Sequence, residues 1–78
     1  MFSIKNKIIV VTGGNGLLGR KMVSIFRENG AIAIAADIYF ENKGPEDFII
    51  DITDENSVIK GVDLIIEKHG QIDGWVNN

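Results

Sequence analysis

Eight consecutive residues, Thr12-Gly13-Gly14-Asn15-Gly16-Leu17-Leu18-Gly19, carry the strongest chemical signal in this chain. From Gly14 they spell G-x-G-x-x-G, and they stand between a short apolar run and a longer amphipathic one. Glycines in that place turn the chain tightly and let backbone N–H groups approach a pyrophosphate with no Cβ in the way. The last of them, Gly19, lets a helix lie close on its strand. The start of that helix adds partial positive charge and unpaired donors for the anion. The second signal is Asp37, eighteen residues after Gly19. A carboxylate at the end of a second strand can accept hydrogen bonds from the hydroxyls of an adenosine ribose. It would also repel the 2′-phosphate of NADP, and no Lys or Arg follows it until Lys43. The pattern favours NAD over NADP. Arg20 is the counterweight, because it could reach a phosphate.

Two rival phosphate motifs fit worse. A P-loop has the same Gly14-to-Gly19 spacing but needs Lys and then Ser/Thr, where this chain has Arg20 and Lys21. Without the hydroxyl there is no ligand for Mg²⁺. A methyltransferase-type loop usually follows an acidic strand end, and here the strand ends in Val11-Thr12.

The elements that must position these residues alternate along the chain. Lys7 to Thr12 is a continuous apolar run, the mark of a strand buried on both faces of a parallel sheet. Leu17 to Asn29 is amphipathic, with Leu18, Met22, Ile25 and Phe26 on the expected inner face and Gly30 as its stop. Ala31 to Asp37 predicts a second strand whose alanines suit a closely packed helix. Ile38 to Glu46, with the only proline at Pro45, predicts a loop. A short strand over Asp47 to Asp51 leads to Thr53, the expected N-cap, and to a helix ending at His69 and Gly70. That helix is expected to bury Val58, Val62, Ile65 and Ile66, with Asp54 and Glu55 favouring its positive end. Ile72 to Val76 predicts a fourth strand, with Trp75 as packing. The order is βαβ, loop, βαβ, which predicts an α/β fold with a parallel, doubly wound Rossmann sheet of four strands. Its fourth strand presents an edge that has the composition of an interior one. The 78 residues are therefore expected to be the N-terminal dinucleotide-binding half of a larger domain.

Composition narrows the partners. Eight Lys+Arg against eleven Asp+Glu give a net charge of −3, which argues against nucleic acid. Cysteine is absent, which excludes disulfides and thiol chemistry, and the single histidine, His69, provides no metal site. His69 is expected to cap its helix. Glu28, Glu41, Glu46, Asp63 and Glu67 are expected to be solvated. The longest uncharged run, Ile8 to Gly19, is too short to span a bilayer, as is the apolar run Gly30 to Ala36, and no secretory leader pattern precedes Lys7. The expectation is a cytoplasmic protein without a membrane partner.

Taken together, the motifs resemble those of the short-chain dehydrogenase/reductase family. Thr12 to Gly19 fits the T-G-x-x-G-x-x-G spacing of its extended branch, with Leu17 where the other branch has its middle glycine. Asp51-Ile52-Thr53-Asp54 resembles the D-[VI]-T-D of the single-domain branch, and Ile72 to Asn78 resembles its run into N-N-A-G. A few bacterial members acting in surface-sugar or flagellin-modification pathways combine such features. The resemblance covers nearly the whole chain and implies roles by position. Gly13, Asn15, Gly16, Leu17 and Leu18 would line the pyrophosphate and the nicotinamide side. Asp37 would hold the ribose, Asp51 and Ile52 the adenine, and Asn77 the adenosine ribose through its backbone.

It also implies hydride transfer between a nicotinamide and a carbonyl or secondary alcohol, on a small-molecule substrate and in a homo-oligomer when full length. The family's catalytic Ser and Tyr-x-x-x-Lys lie beyond strand four. Tyr39 and Lys43 match the second by spacing, but they fall in the loop after strand two, and the match is coincidental. No catalytic residue is expected within these 78 residues. The alternatives are a non-enzymatic module that binds NAD without turnover and a structural domain whose glycine turn stays empty.

Overall fold

A computed structural model describes residues 3–78 of the chain. Its elements run β1 (Ile8–Thr12), α1 (Leu17–Glu28), β2 (Ile32–Asp37), β3 (Asp47–Ile49), α2 (Glu55–His69) and β4 (Gly74–Val76). The four strands form one sheet in the order β3-β2-β1-β4. Every neighbouring pair is parallel, with Ile8 to Thr12 opposite Ile32 to Ala36, Ile9 to Val11 opposite Gly74 to Val76, and Ala35 to Asp37 opposite Asp47 to Ile49. This is the expected α/β, doubly wound arrangement with four strands.

All five residues of β1 are buried, because a central strand in a sheet covered on both faces has no solvated side. Alternate residues go to opposite faces. Ile8, Val10, Ile34 and Ala36 pack with Ile50 and with Ile65 of α2. Val11, Ala33 and Ala35 pack with Val23 of α1, with Met22, Phe26, Phe40 and Val76 around them. The alanines of β2 do lie under a helix. No described helix is long and apolar enough to cross a membrane.

Both helices dock through a glycine, and this shifts their inner faces from those expected. Gly19 and Val23 are the buried residues of α1, and Gly61 and Ile65 those of α2. Leu18 is 61% exposed, Ile25 48% and Ile66 43%, so these three stand at the margins and not in the core. The reason is steric. A Cβ on Gly61 would fall 2.4 Å from Ile50 Cγ1, so the helix touches the sheet where it has no side chain. A bulk-weighted reading of the helical period puts the contact at the large residues instead.

The element ends also differ, each for a local reason. Ala31 N–H donates to Phe26 O at 3.1 Å in the turn that closes α1, so β2 starts one residue later. Asp73 takes the place of a strand rung, its carboxylate accepting Ile8 N–H at 2.8 Å, and regular β4 starts at Gly74. The N-cap of α2 is Asp54, not Thr53: the Asp54 carboxylate accepts Asn56 N–H and Ser57 N–H, while the Thr53 hydroxyl donates to Asp51 Oδ1. Asp competes well for that position because its charge meets the positive end of the helix. Trp75 is 36% exposed on β4 and donates through Nε1 to Asn77 Oδ1.

Candidate dinucleotide site

The carboxyl ends of all four strands lie along one edge of the sheet, and every candidate site residue falls there. Gly13 to Gly19 follow β1, Asp37 ends β2, Asp51 and Ile52 follow β3, and Asn77 follows β4. In an open parallel sheet that edge is where the crevice forms, where neighbouring connections leave to opposite faces.

The glycine loop is set by backbone contacts that tolerate no side chain. Gly13 has φ +64°, a left-handed conformation that favours glycine. Gly14 N–H donates to Ala36 O at 3.1 Å, and a Cβ on Gly14 would stand 2.7 Å from Ala35 Cα. A Cβ on Gly19 would stand 2.1 Å from Gly13 O. Those approaches press the start of α1 onto the strand end. Gly16 is the N-cap of α1, and no side chain caps it. The N–H groups of Leu17 and Leu18 begin the helix and have no carbonyl one turn before them to accept. Leu17 is 94% exposed beside them.

Asp37 is pinned before any ligand arrives. Its Oδ2 accepts Asn15 N–H at 3.0 Å and its Oδ1 accepts Ile38 N–H at 2.8 Å. Each oxygen keeps a lone pair for a further donor. Asn15 links three pieces: its N–H reaches Asp37, its Nδ2 donates to Tyr39 O at 2.7 Å, and its carbonyl accepts Arg20 Nε–H at 2.8 Å. A groove of about 420 Å³ runs from Gly14 and Asn15 along the flank of α1, past Arg20 and Ser24, and under Phe40.

Thr12 and Asn78 lock β4 to the loop, a contact absent from the sequence expectations. Thr12 is the buried polar residue of the described core. Its hydroxyl donates to Val76 O at 3.3 Å and accepts Asn78 N–H at 3.0 Å, and Asn78 Nδ2 reaches Gly13 O at 3.4 Å. A polar residue ending an apolar strand was the available signal, since such a group must find partners when buried. Tyr39 and Lys43 do not form a pair. Tyr39 is 63% exposed, and the Lys43 ammonium stands 6.0 Å over the Phe48 ring.

Asp51 and exposed Ile52 flank the far side of the edge. The Thr53 hydroxyl and then the Thr53 N–H donate to the Asp51 carboxylate and hold it below the usual aspartate range. A lowered carboxylate adds stability above its unfolded value, and that contribution is lost as pH falls through the lowered one. In Thr53→Val the Asp51 midpoint, followed by NMR titration, is expected to rise toward the ordinary aspartate value. An unchanged midpoint would show that Thr53 does not set it.

Two further expectations are corrected here. His69 lies in the last turn of α2, but the C-cap is Gly70, and the His69 Nε2 pairs with Glu46 Oε2 at 2.6 Å. Glu46 is not a freely solvated carboxylate, because it holds Lys68 as well. Partial burial works against its ionisation, yet the hydrogen bonds and charges of Lys68 and His69 outweigh that and lower its pKa.

The fit to a dinucleotide can be tested on these contacts. Cβ-free approaches at Gly14 and Gly19, unpartnered donors at the head of α1, and a pinned acceptor at Asp37 suit a diphosphate joined to a ribose. A four-stranded parallel sheet with this loop defines the class: an α/β nucleotide-binding fold of the Rossmann type. Among curated proteins the chain is 35% identical to (+)-borneol dehydrogenase 1 of Salvia officinalis, over 96% of this chain and 32% of that protein. It is 33% identical to the post-translational flagellin modification protein A of Campylobacter coli, over 96% of this chain and 34% of that protein. Among solved structures, the ligand-free aldohexose dehydrogenase of Thermoplasma acidophilum superposes with a TM-score of 0.87 at 26% identity, over 96% of this chain and 30% of that one. No protein-family model matches. The chain spans about a third of the length of the curated relatives it matches. From end to end it carries the pattern of the short-chain dehydrogenases/reductases, and it belongs to that family.

Proposed function

We propose that this chain is the cofactor-binding region of an NAD-dependent oxidoreductase of the short-chain type. The observation that carries the reading is the pinned Asp37 carboxylate beside a glycine loop whose two closest approaches exclude any Cβ. Gly13, Asn15, Gly16, Leu17 and Leu18 would hold the pyrophosphate and face the nicotinamide side, and Gly19 would seat the helix. Asp37 would accept from the adenosine ribose, Asp51 and Ile52 would flank the adenine, and the Asn77 backbone would meet the ribose. When bound, the nicotinamide supplies the hydride chemistry on a carbonyl or alcohol. The residues of this chain bind it and orient it. The dehydrogenase names of the relatives support an oxidoreductase, and the Asp37 carboxylate supports NAD over NADP.

Thermal unfolding with added cofactor tests this directly. NAD at a hundredfold excess over its Kd is expected to stabilise the chain by about 2.7 kcal/mol, with NADP giving less at equal concentration. No stabilisation by either dinucleotide would leave the glycine turn a structural element only. A larger effect from NADP would reverse the cofactor assignment and point to Arg20.

A further inference from the structure

The last turn of α2 meets the segment that follows Asp37. Glu46 Oε1 accepts from Lys68 Nζ at 2.8 Å, and Glu46 Oε2 pairs with His69 Nε2 at 2.6 Å. Lys68 Nζ also donates to Pro45 O at 2.6 Å. At its other end the same segment is tied to the glycine loop, where Asn15 Nδ2 donates to Tyr39 O and Ile38 N–H donates to Asp37. Residues 38–46 therefore hang between two polar anchors.

What lies between the anchors is thin. Parallel strands usually need a crossover of a dozen or more residues, most often a helix, and β2 reaches β3 here without one. Within the segment, Phe40 is the residue packed on the apolar core. A connection with so little buried surface takes its shape from its ends. Two other charged groups of that corner are engaged elsewhere. Asp47 Oδ2 accepts Gly44 N–H at 2.7 Å, and Lys43 stands over Phe48. Glu46 alone among them holds the helix end.

We propose that Glu46, clamped by Lys68 and His69, is a positioning residue for the adenosine end of the cofactor, holding residues 38–46 so that Ile38 N–H and Tyr39 O keep Asp37 and Asn15 in place. This rests on the dinucleotide reading above. Glu46 touches no ligand in this scheme. It acts on Asp37 through the segment it closes.

The test separates the two ends of the site by calorimetry on the chain. In Glu46→Ala, ADP-ribose is expected to bind about threefold to tenfold more weakly, the scale of one or two lost hydrogen bonds. Inorganic pyrophosphate, which needs only the glycine loop and the head of α1, is expected to bind unchanged. Glu46→Asp keeps the charge and should recover part of the loss. The double variant Lys68→Met with His69→Gln cuts the same contacts from the helix side and should match Glu46→Ala, which covers the case where the latter does not fold. Equal weakening of both probes, or unchanged ADP-ribose binding in a chain that binds NAD, overturns the positioning role alone. A chain that binds neither NAD nor ADP-ribose overturns the dinucleotide reading and this role with it.

Discussion

Gly19→Ala is expected to abolish dinucleotide binding and to destabilise the fold by about 3 kcal/mol or more, at the upper end of what overpacking costs. The added Cβ would lie 2.1 Å from Gly13 O, 2.8 Å from Gly13 C and 2.9 Å from Gly14 Cα. All three are backbone atoms of the loop, so no rotamer change relieves the clash. Either the head of α1 lifts from β1 or the loop gives up its conformation. Lifting the helix exposes Val23 and the alanines of β2, while opening the loop breaks the Gly14 N–H bond to Ala36 O. A domain of this size has only a few kcal/mol to lose. Gly70→Ala is the control. Nothing lies within 4 Å of its Cβ position, and only its φ of +86° argues against a side chain, at about 1 kcal/mol. Chemical denaturation of both variants checks the pair. A Gly19→Ala chain as stable as Gly70→Ala, and still binding NAD, would show that the loop is looser than these contacts demand.

The contrast between these glycines also explains which parts of the molecule are legible in the sequence. Gly13 to Gly19 and Asp37 stand out because each answers a requirement that few residue types meet: no Cβ at a close approach, and a carboxylate at a strand end. Strand order follows from alternation and from the right-handed crossover. The inner faces of α1 and α2 are less legible. Hydrophobic periodicity weights Leu18, Ile25 and Ile66, whereas contact is made through Gly19 and Gly61, where the helix comes closest because nothing intervenes. The Glu46–Lys68–His69 cluster is illegible for a different reason. Its members are twenty-two and twenty-three residues apart in the chain, and each taken alone has an ordinary surface or helix-end role. The Thr12 and Asn78 contact spans 66 residues, and only the fold brings that pair together. Local chemistry can be read from residue types, and long-range polar pairing cannot.

Asp37→Asn is expected to weaken NAD binding by about tenfold to a hundredfold and to bring NADP level with it or ahead. Two effects act in the same direction. On the proposed reading the carboxylate would be the acceptor for the ribose hydroxyls, and a hydrogen bond to a charged group is worth about 1.5–3 kcal/mol, or roughly one to two powers of ten in Kd. It also accepts Asn15 N–H on one oxygen and Ile38 N–H on the other. An amide offers one acceptor oxygen and presents an NH₂ group to whichever N–H loses its partner, so one of the two loop anchors must open. For NADP the balance differs. NADP has no 2′-hydroxyl to lose its acceptor, removal of the carboxylate takes away a charge that would repel the 2′-phosphate, and the Arg20 side chain lines the adjoining groove. Parallel calorimetric titrations of both dinucleotides against both chains measure the ratio. Because the loosened loop weakens both cofactors alike, the ratio reports what Asp37 does directly at the ribose, its hydrogen bond from the 2′-hydroxyl together with its charge against the 2′-phosphate. A ratio that does not move would mean that Asp37 anchors the loop and takes no part in choosing the cofactor, and the choice would then have to be sought at Arg20.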